Sequence, residues 1–237
     1  MKKTILYLLV YLPILAFGQV DKFTINGKVE TLNKPTKIYL NCIKNGTQYL
    51  DSAITISGAF SFNGNVTEPI RARLILDHGQ GLTNSSASDL LVFYLENSTI
   101  KIVSKDSVKN AHFEGSKLNS DYAVYLKKIS VPLNLIKMIN AENNSASDEE
   151  RADVEYRNRM QARFKEADSS IKDLQILFIK ENPNSFYSIV ALSERMQKGM
   201  AFPQLDMLYK DLSPAIRQST VGLKVAKTIE DMRSNQK

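Results

Sequence analysis

The chain has 237 residues, 43% hydrophobic and 24% charged, with a formal charge of +6 and a single cysteine, Cys42. That balance excludes an intrinsically disordered chain, and one thiol excludes an internal disulfide framework. The basic excess forms no Lys/Arg run and no basic stripe interleaved with aromatic residues, so nucleic acid is not expected as a partner.

The chain opens MKKTILYLLVYLPILAFGQ: two lysines, an apolar run from Ile5 to Phe17, then Ala16-Phe17-Gly18 ahead of Gln19. This is the three-part layout of a secretory signal peptide, and the run is shorter than the ~20 apolar residues that span a bilayer. Cleavage after Gly18 is expected, leaving residues 19–237, a charge of +4 and no integral membrane segment. The alternative is an uncleaved anchor, for which Pro13 and polar Gln19 are poorly suited. A lipoprotein would need a cysteine just after the apolar run, and none is there. The expected location is periplasmic or secreted.

From Phe23 to about Phe113 the text alternates with period two and is broken by Gly, Asn, Asp and Ser. Phe23, Ile25 and Gly27 share one face; Ile38, Leu40 and Cys42 share another. Lys44-Asn45-Gly46 reads as a hairpin turn into a strand at TQYLDSAITI, and Ser57-Gly58 turns the chain into Ala59–Phe62. Asn63-Gly64 reads as a further turn or a bulge. Strands are also expected at Arg71–Leu76, Leu90–Leu95, Thr99–Val103 and Ala111–Glu114. The polar, Gly- and Ser-rich stretch from Asp77 to Asp89 reads as the longest loop. Seven or eight strands at a spacing of about ten residues predict an antiparallel β-sandwich or partly open barrel over residues 19–115.

After Gly115 the period becomes helical. Ser120 is expected to cap a helix through Tyr122, Leu126 and Ile129 that Pro132 bends or ends. AENNSASDEER reads as a polar linker, with Ser147 and Glu150 forming a capping box for a long helix. Tyr156, Met160, Phe164, Ala167, Ile171, Leu174 and Phe178 give that helix one apolar face, and Pro183 ends it near Asn182. Phe186, Ile189 and Val190 open a short helix ending near Gly199. Further helical pieces are expected at Pro203–Tyr209, Pro214–Ser219 and Val221–Met232. Residues 116–237 therefore predict an α-helical bundle, and the whole chain is of the α+β class.

Motifs that carry chemistry are sparse. The two histidines, His78 and His112, and one cysteine cannot supply the four Cys/His ligands of a structural zinc site, and His78 with Asp77 would need further carboxylates. Gly79-Gln80-Gly81 lacks both the Walker lysine and the dinucleotide pattern. No Gly-x-Ser-x-Gly elbow occurs, although a hydrolase built on the Asp77–Asp89 loop is an alternative to weigh. Glu149 and Glu150 fall in a first helical turn, where negative charge favours the helix dipole. Asn45, Asn65, Asn84, Asn97 and Asn143 each match the short N-glycosylation pattern. Cys42 shares its strand face with Ile38 and Leu40, which favours a buried, unreactive thiol; the alternative is an exposed thiol able to pair with another chain. No catalytic, cofactor-binding or metal-binding residue is assigned.

Four phrases carry a resemblance: KIYLNCIKNGTQYLDSAITISGAFSFNGNVTEPIRARLIL, FYLENSTIKIVSKDSVKNAHFEGSKLNSDYAVY, FIKENPNSFYSIVAL and LSPAIRQSTVGLKVAKTIE. Together they resemble the N-terminal region of bacterial cell-envelope thioredoxin-like thiol-disulfide oxidoreductases. The β half resembles the domain of unknown function of type 4369 that precedes their thioredoxin fold. Such proteins continue into a Cys-x-x-Cys domain, whereas this chain has one cysteine and no dithiol to cycle. The resemblance implies a non-catalytic exported accessory or binding module, with no cofactor. Its expected partner is a thioredoxin-like envelope protein or a second copy of itself. The alternative is the detached or truncated accessory part of a two-component oxidoreductase, with the thioredoxin domain on another chain.

Overall fold

The computed structural model describes residues 22–44, 46–79, 81 and 89–234. The expected signal peptide, together with Asn45, Gln80 and Asn84, lies outside them.

Among the described residues eight strands form where the period is two. They are β1 (Phe23–Val29), β2 (Lys37–Lys44), β3 (Thr47–Ile54), β4 (Ala59–Gly64), β5 (Ile70–Leu76), β6 (Asp89–Leu95), β7 (Thr99–Ser104) and β8 (His112–Glu114). They make two four-stranded sheets, ordered β4-β1-β7-β8 and β3-β2-β5-β6. The sheets face each other and do not close into a barrel, so of the two expected architectures the open sandwich forms. Pairing is antiparallel except between β1 and β7, which run parallel with Ile25 beside Ile100. That pair is joined only after the chain has built the other sheet, a connection that local alternation does not reveal.

Alternate side chains of both sheets fill the space between them. Ile25, Phe62, Ile100 and Ile102 come from one sheet; Ile38, Leu40, Leu74, Phe93 and Leu95 come from the other. The Ser57-Gly58 turn has positive φ at both residues, 48° and 77°, as a two-residue hairpin of matching twist requires. Asn63 and Gly64 are not a turn: both stay in β4, where Gly64 pairs with Phe23 and leaves room for that ring.

Among the described residues eight helices follow. They are α1 (Lys117–Lys128), α2 (Ser130–Ser145), α3 (Asp148–Ala152), α4 (Val154–Glu181), α5 (Phe186–Gln197), α6 (Phe202–Asp211), α7 (Pro214–Arg217) and α8 (Thr220–Ser234). The cap of α1 is Ser116, whose Oγ accepts from the Asn119 N–H, and not Ser120. The break between α1 and α2 falls at Ile129, because the Pro132 ring would clash with the carbonyl four residues back in a continuous helix. Pro132 itself sits in the first turn of α2, where its missing N–H is harmless.

Residues 141–145 are helical, so part of the expected linker belongs to α2. The Ser147–Glu150 capping box is formed, but it caps the five-residue α3. Asp153 then caps α4 separately, accepting from the Tyr156 N–H at 2.7 Å. Of the expected apolar face of α4, Tyr156, Met160, Ala167, Ile171 and Phe178 are buried and Leu174 is half-buried, whereas Phe164 stays exposed. Helix α4 covers a small core with α2 (Ile139, Tyr156, Met160) and then enters the main helical core around Phe178, Tyr187, Leu192, Leu205 and Val225.

The sandwich and the helices meet on the outer face of β6. Tyr94 points away from the sandwich core and is buried in the helical one. The Asn119 side chain accepts from the Tyr94 N–H and donates to the Tyr94 carbonyl, both at 2.7 Å. An amide thus stands in for a neighbouring strand on the free edge of β6 and holds α1 there. Among the described residues no helix is long and apolar enough to cross a membrane.

Candidate functional site

The outer face of β3-β2-β5-β6 has a covered part and an open part, and Arg71 stands between them. Alternation along Arg71-Ala72-Arg73 turns Ala72 into the core and both arginines outward. Arg71 pairs in register with Tyr94, and Arg73 with Val92 and Asn41.

In the covered part four tyrosines and a phenylalanine pack ring against ring. Tyr187 on α5 lies at the centre, with centroids 4.7 Å from Tyr125, 5.0 Å from Tyr122, 5.6 Å from Tyr94 and 5.9 Å from Phe178. Burial raises the pKa of all four phenols, that of Tyr125 to about 12, and the nearby Glu194 carboxylate adds to the shift in each. They are neutral rings at any physiological pH.

Glu194 on α5 is half-buried beside them. Burial pushes its pKa up, opposed by a hydrogen bond from Gln175 Nε2 at 3.2 Å and by the charges of Arg71, Lys198 and Arg195. Gln175 and Arg195 are themselves buried, and Gln175 Oε1 and Arg195 Nε have no hydrogen-bond partner. Arg195 lies 3.8 Å from Asp168, which also takes Lys198 at 3.2 Å. These groups order the α4–α5 interface under the aromatic cluster.

The open part is a hollow of about 630 Å³ lined by Asn41, Cys42, Ile43, Gly46, Gln48, Ile70, Arg71 and Arg73. Among the described residues no carboxylate lines it. Arg73 makes no ion pair or hydrogen bond with the described residues, and Arg71 has no ion pair within 4 Å. By contrast Arg151, Arg163, Arg195 and Arg233 each have a carboxylate within that distance.

The residues singled out by sequence lie elsewhere. The Cys42 side chain faces the sandwich core at 5% exposure, and burial raises its thiol pKa, which leaves little thiolate. Asp77 Oδ1 accepts from the Gly79 and Gly81 N–H groups at 2.8 and 2.9 Å, so these residues form a side-chain-closed turn. His78 Nε2 lies 3.2 Å from Asp89 Oδ2. The other oxygen of buried Asp89 accepts from Ser107 Oγ at 2.6 Å and Lys109 N at 2.9 Å. Here the carboxylate stands between hydroxyl and imidazole, whereas nucleophile activation needs the imidazole between the other two. Asp89 instead ties β6 to the 3-10 turn at Val108–Asn110.

His112 is exposed on β8, 3.7 Å from Glu114. Glu150 closes the capping box and Glu149 is exposed next to it. Asn65 Oδ1 accepts from Lys44 Nζ, and Asn143 is exposed on α2. Asn97 bonds both backbone groups of Val66, so its amide nitrogen is occupied by the fold. Among the described residues no group of three or more His, Cys, Asp or Glu side chains is placed to hold a metal ion.

The comparisons with known proteins bear on the β half. The family model for a domain of unknown function (DUF4369) matches residues 23–122. This segment is similar to DUF4369 domains, over somewhat less than half of the chain. It takes in all eight strands and runs into α1 as far as Tyr122, past the boundary expected at residue 115 and through the Ser116–Asn119 latch on β6. No curated protein and no solved structure matches the chain.

Sequence reasoning passed over Arg71, Arg73, Glu194 and the tyrosine cluster. Alternation within RARLIL did place both arginines on one face. Which part of that face the helices would cover had no local signal.

Proposed function

We propose that this chain is an exported, non-catalytic accessory or binding module of the cell envelope, related to thiol-disulfide oxidoreductases. The single observation that carries the reading is the division of one sheet face. Part of it is fixed under a helical bundle, and the rest is an open hollow whose two guanidinium groups have no carboxylate within 4 Å among the described residues. Such a scaffold presents a surface for recognition. The resemblance of the β half to domains that precede a thioredoxin fold supports the redox association, and the DUF4369 match is consistent with it. The burial of Cys42 supports a module whose own thiol takes no part in exchange. On this reading the leader is removed after Gly18, and the partner is a thioredoxin-like envelope protein or a second copy of the chain.

The test is an insulin-disulfide reduction assay on purified residues 19–237 with a dithiol as electron source, run beside thiol labelling of the native protein. The expected result is insulin reduction no faster than by the dithiol alone. Cys42 should react with a chromogenic disulfide reagent at least about a hundredfold faster in denaturant than in buffer, because access requires opening of the sandwich. Reduction at a rate comparable with a thioredoxin would overturn the non-catalytic reading. Equal labelling in buffer and denaturant would overturn the assignment of Cys42 to the core.

A further inference from the structure

The hollow on the outer face of β2, β3 and β5 has a chemistry specific enough to say what it takes. Its floor is a sheet, so Arg71 and Arg73 project from one strand at a fixed separation, two residues apart on the same side. Asn41 lies beside Arg73 in register, and Gln48 lies beside Ile43 one strand further out. These amides add neutral donors around the guanidinium pair. Ile43, at 66% exposure, supplies an uncovered apolar surface next to the charges.

The charge balance narrows the ligand. Glu194 across the junction attracts Arg71, whereas among the described residues no carboxylate lies within 4 Å of Arg73. Of the neighbouring cations, Lys224 lies 3.6 Å from Glu68, and Lys44 is tethered to the neutral Asn65 amide at 2.9 Å. No helix N-terminus is among the described lining residues to favour a phosphate. A planar carboxylate matches the fork of a guanidinium, which offers two parallel N–H donors.

We infer that this hollow binds an organic monocarboxylate, with the carboxylate held by Arg73 and Arg71 and an apolar body lying over Ile43. The assignment rests on the binding-module reading and adds the ligand class to it. A volume of about 630 Å³ is large enough for a ligand bigger than an inorganic ion.

The test uses residues 19–237 and three probes, 4-phenylbutyrate, 4-phenylbutanol and inorganic phosphate, titrated by NMR with the arginine Nε–H signals included. Saturable binding of 4-phenylbutyrate is expected, with 4-phenylbutanol and phosphate each at least about tenfold weaker, since each lacks half of the recognition. Arg73→Ala should weaken 4-phenylbutyrate by about tenfold or more, and Arg73→Lys by less, because the charge remains while the fork is lost. Arg159→Ala removes the same charge from α4, outside the hollow, and should change nothing.

Equal loss in Arg73→Ala and Arg159→Ala, equal affinity for the alcohol, or phosphate binding as tight as the carboxylate would each overturn the assignment. So would the absence of saturable shifts at about 10 mM probe, a weak-binding ceiling. That last result with a blank insulin assay sinks the carboxylate site and leaves the binding module standing. Insulin turnover sinks the module reading whatever the probes do.

Discussion

Glu194 shows what one half-buried carboxyl does to the folded state. Four phenol rings and the α4–α5 interface strip its solvent, and this burial raises its pKa against the attraction of Arg71, Lys198 and Arg195. The folded protein therefore holds the Glu194 proton more tightly than the unfolded chain, whose glutamates titrate near ~4.3. Its contribution to stability is fully present below that pH and is lost as pH rises through the folded value. Glu194→Gln keeps an acceptor for Gln175 and removes the charge that burial disfavours. The variant should melt higher than the parent at pH 7, by a few degrees, roughly what ~1 kcal/mol does in a chain this size. The two should converge near pH 4. Thermal melts from pH 4 to 8 decide it, and a lower melting temperature for the variant at pH 7 would mean that the three cations outweigh desolvation.

At the scale of elements, the latch of α1 on β6 is the most exposed to a single change. Asn119 is fully buried and satisfies both backbone groups of Tyr94, while its own N–H is capped by Ser116. Asn119→Ala leaves a buried donor and a buried acceptor unmade, which costs about 2 kcal/mol or more. Ser116→Ala removes a helix cap, a loss of about 1 kcal/mol. Urea unfolding of both variants should rank them in that order, and the reverse order would show that the edge of β6 is satisfied without α1. The same latch marks the limit of what the sequence told. All eight strands follow from alternation, because a half-buried strand writes its face into every second residue. Helix α4 follows from its apolar repeat and from Pro183. A cap at Ser120 starts α1 four residues late, and nothing local says that the Asn119 side chain will pair with a strand 25 residues earlier. The polar run at 141–145 read as linker, yet α2 continues through it with all five residues exposed, as a final helical turn beyond buried Ile139. Period-two spacing puts Arg71 and Arg73 on a common face, although the sequence reading did not single them out. Their freedom depends on where the bundle stops, which only the packed molecule decides.

For the whole molecule, the question is whether two cores behave as two domains or one. Phe93 and Leu95 belong to the sandwich core, while Tyr94 between them belongs to the helical core. Tyr94 meets Tyr122 edge-on at 5.2 Å and Tyr187 at 5.6 Å, so the ring is a shared part of both packing systems. Calorimetry of residues 19–237 should therefore show one cooperative transition, since neither core can open without exposing this contact. Tyr94→Ala removes the ring but keeps β6 and its edge bonds, and should cost about 3–5 kcal/mol as a large-to-small change in a core. Beyond that cost, it should separate the melting of near-ultraviolet tyrosine signals, dominated by the cluster, from the loss of strand signals in the far ultraviolet. Phe93→Ala carries a similar cost but acts inside the sandwich alone, so its two signals should still move together. Two transitions in the parent protein, or coincident signals in Tyr94→Ala, would mean that coupling between the cores does not run through this residue.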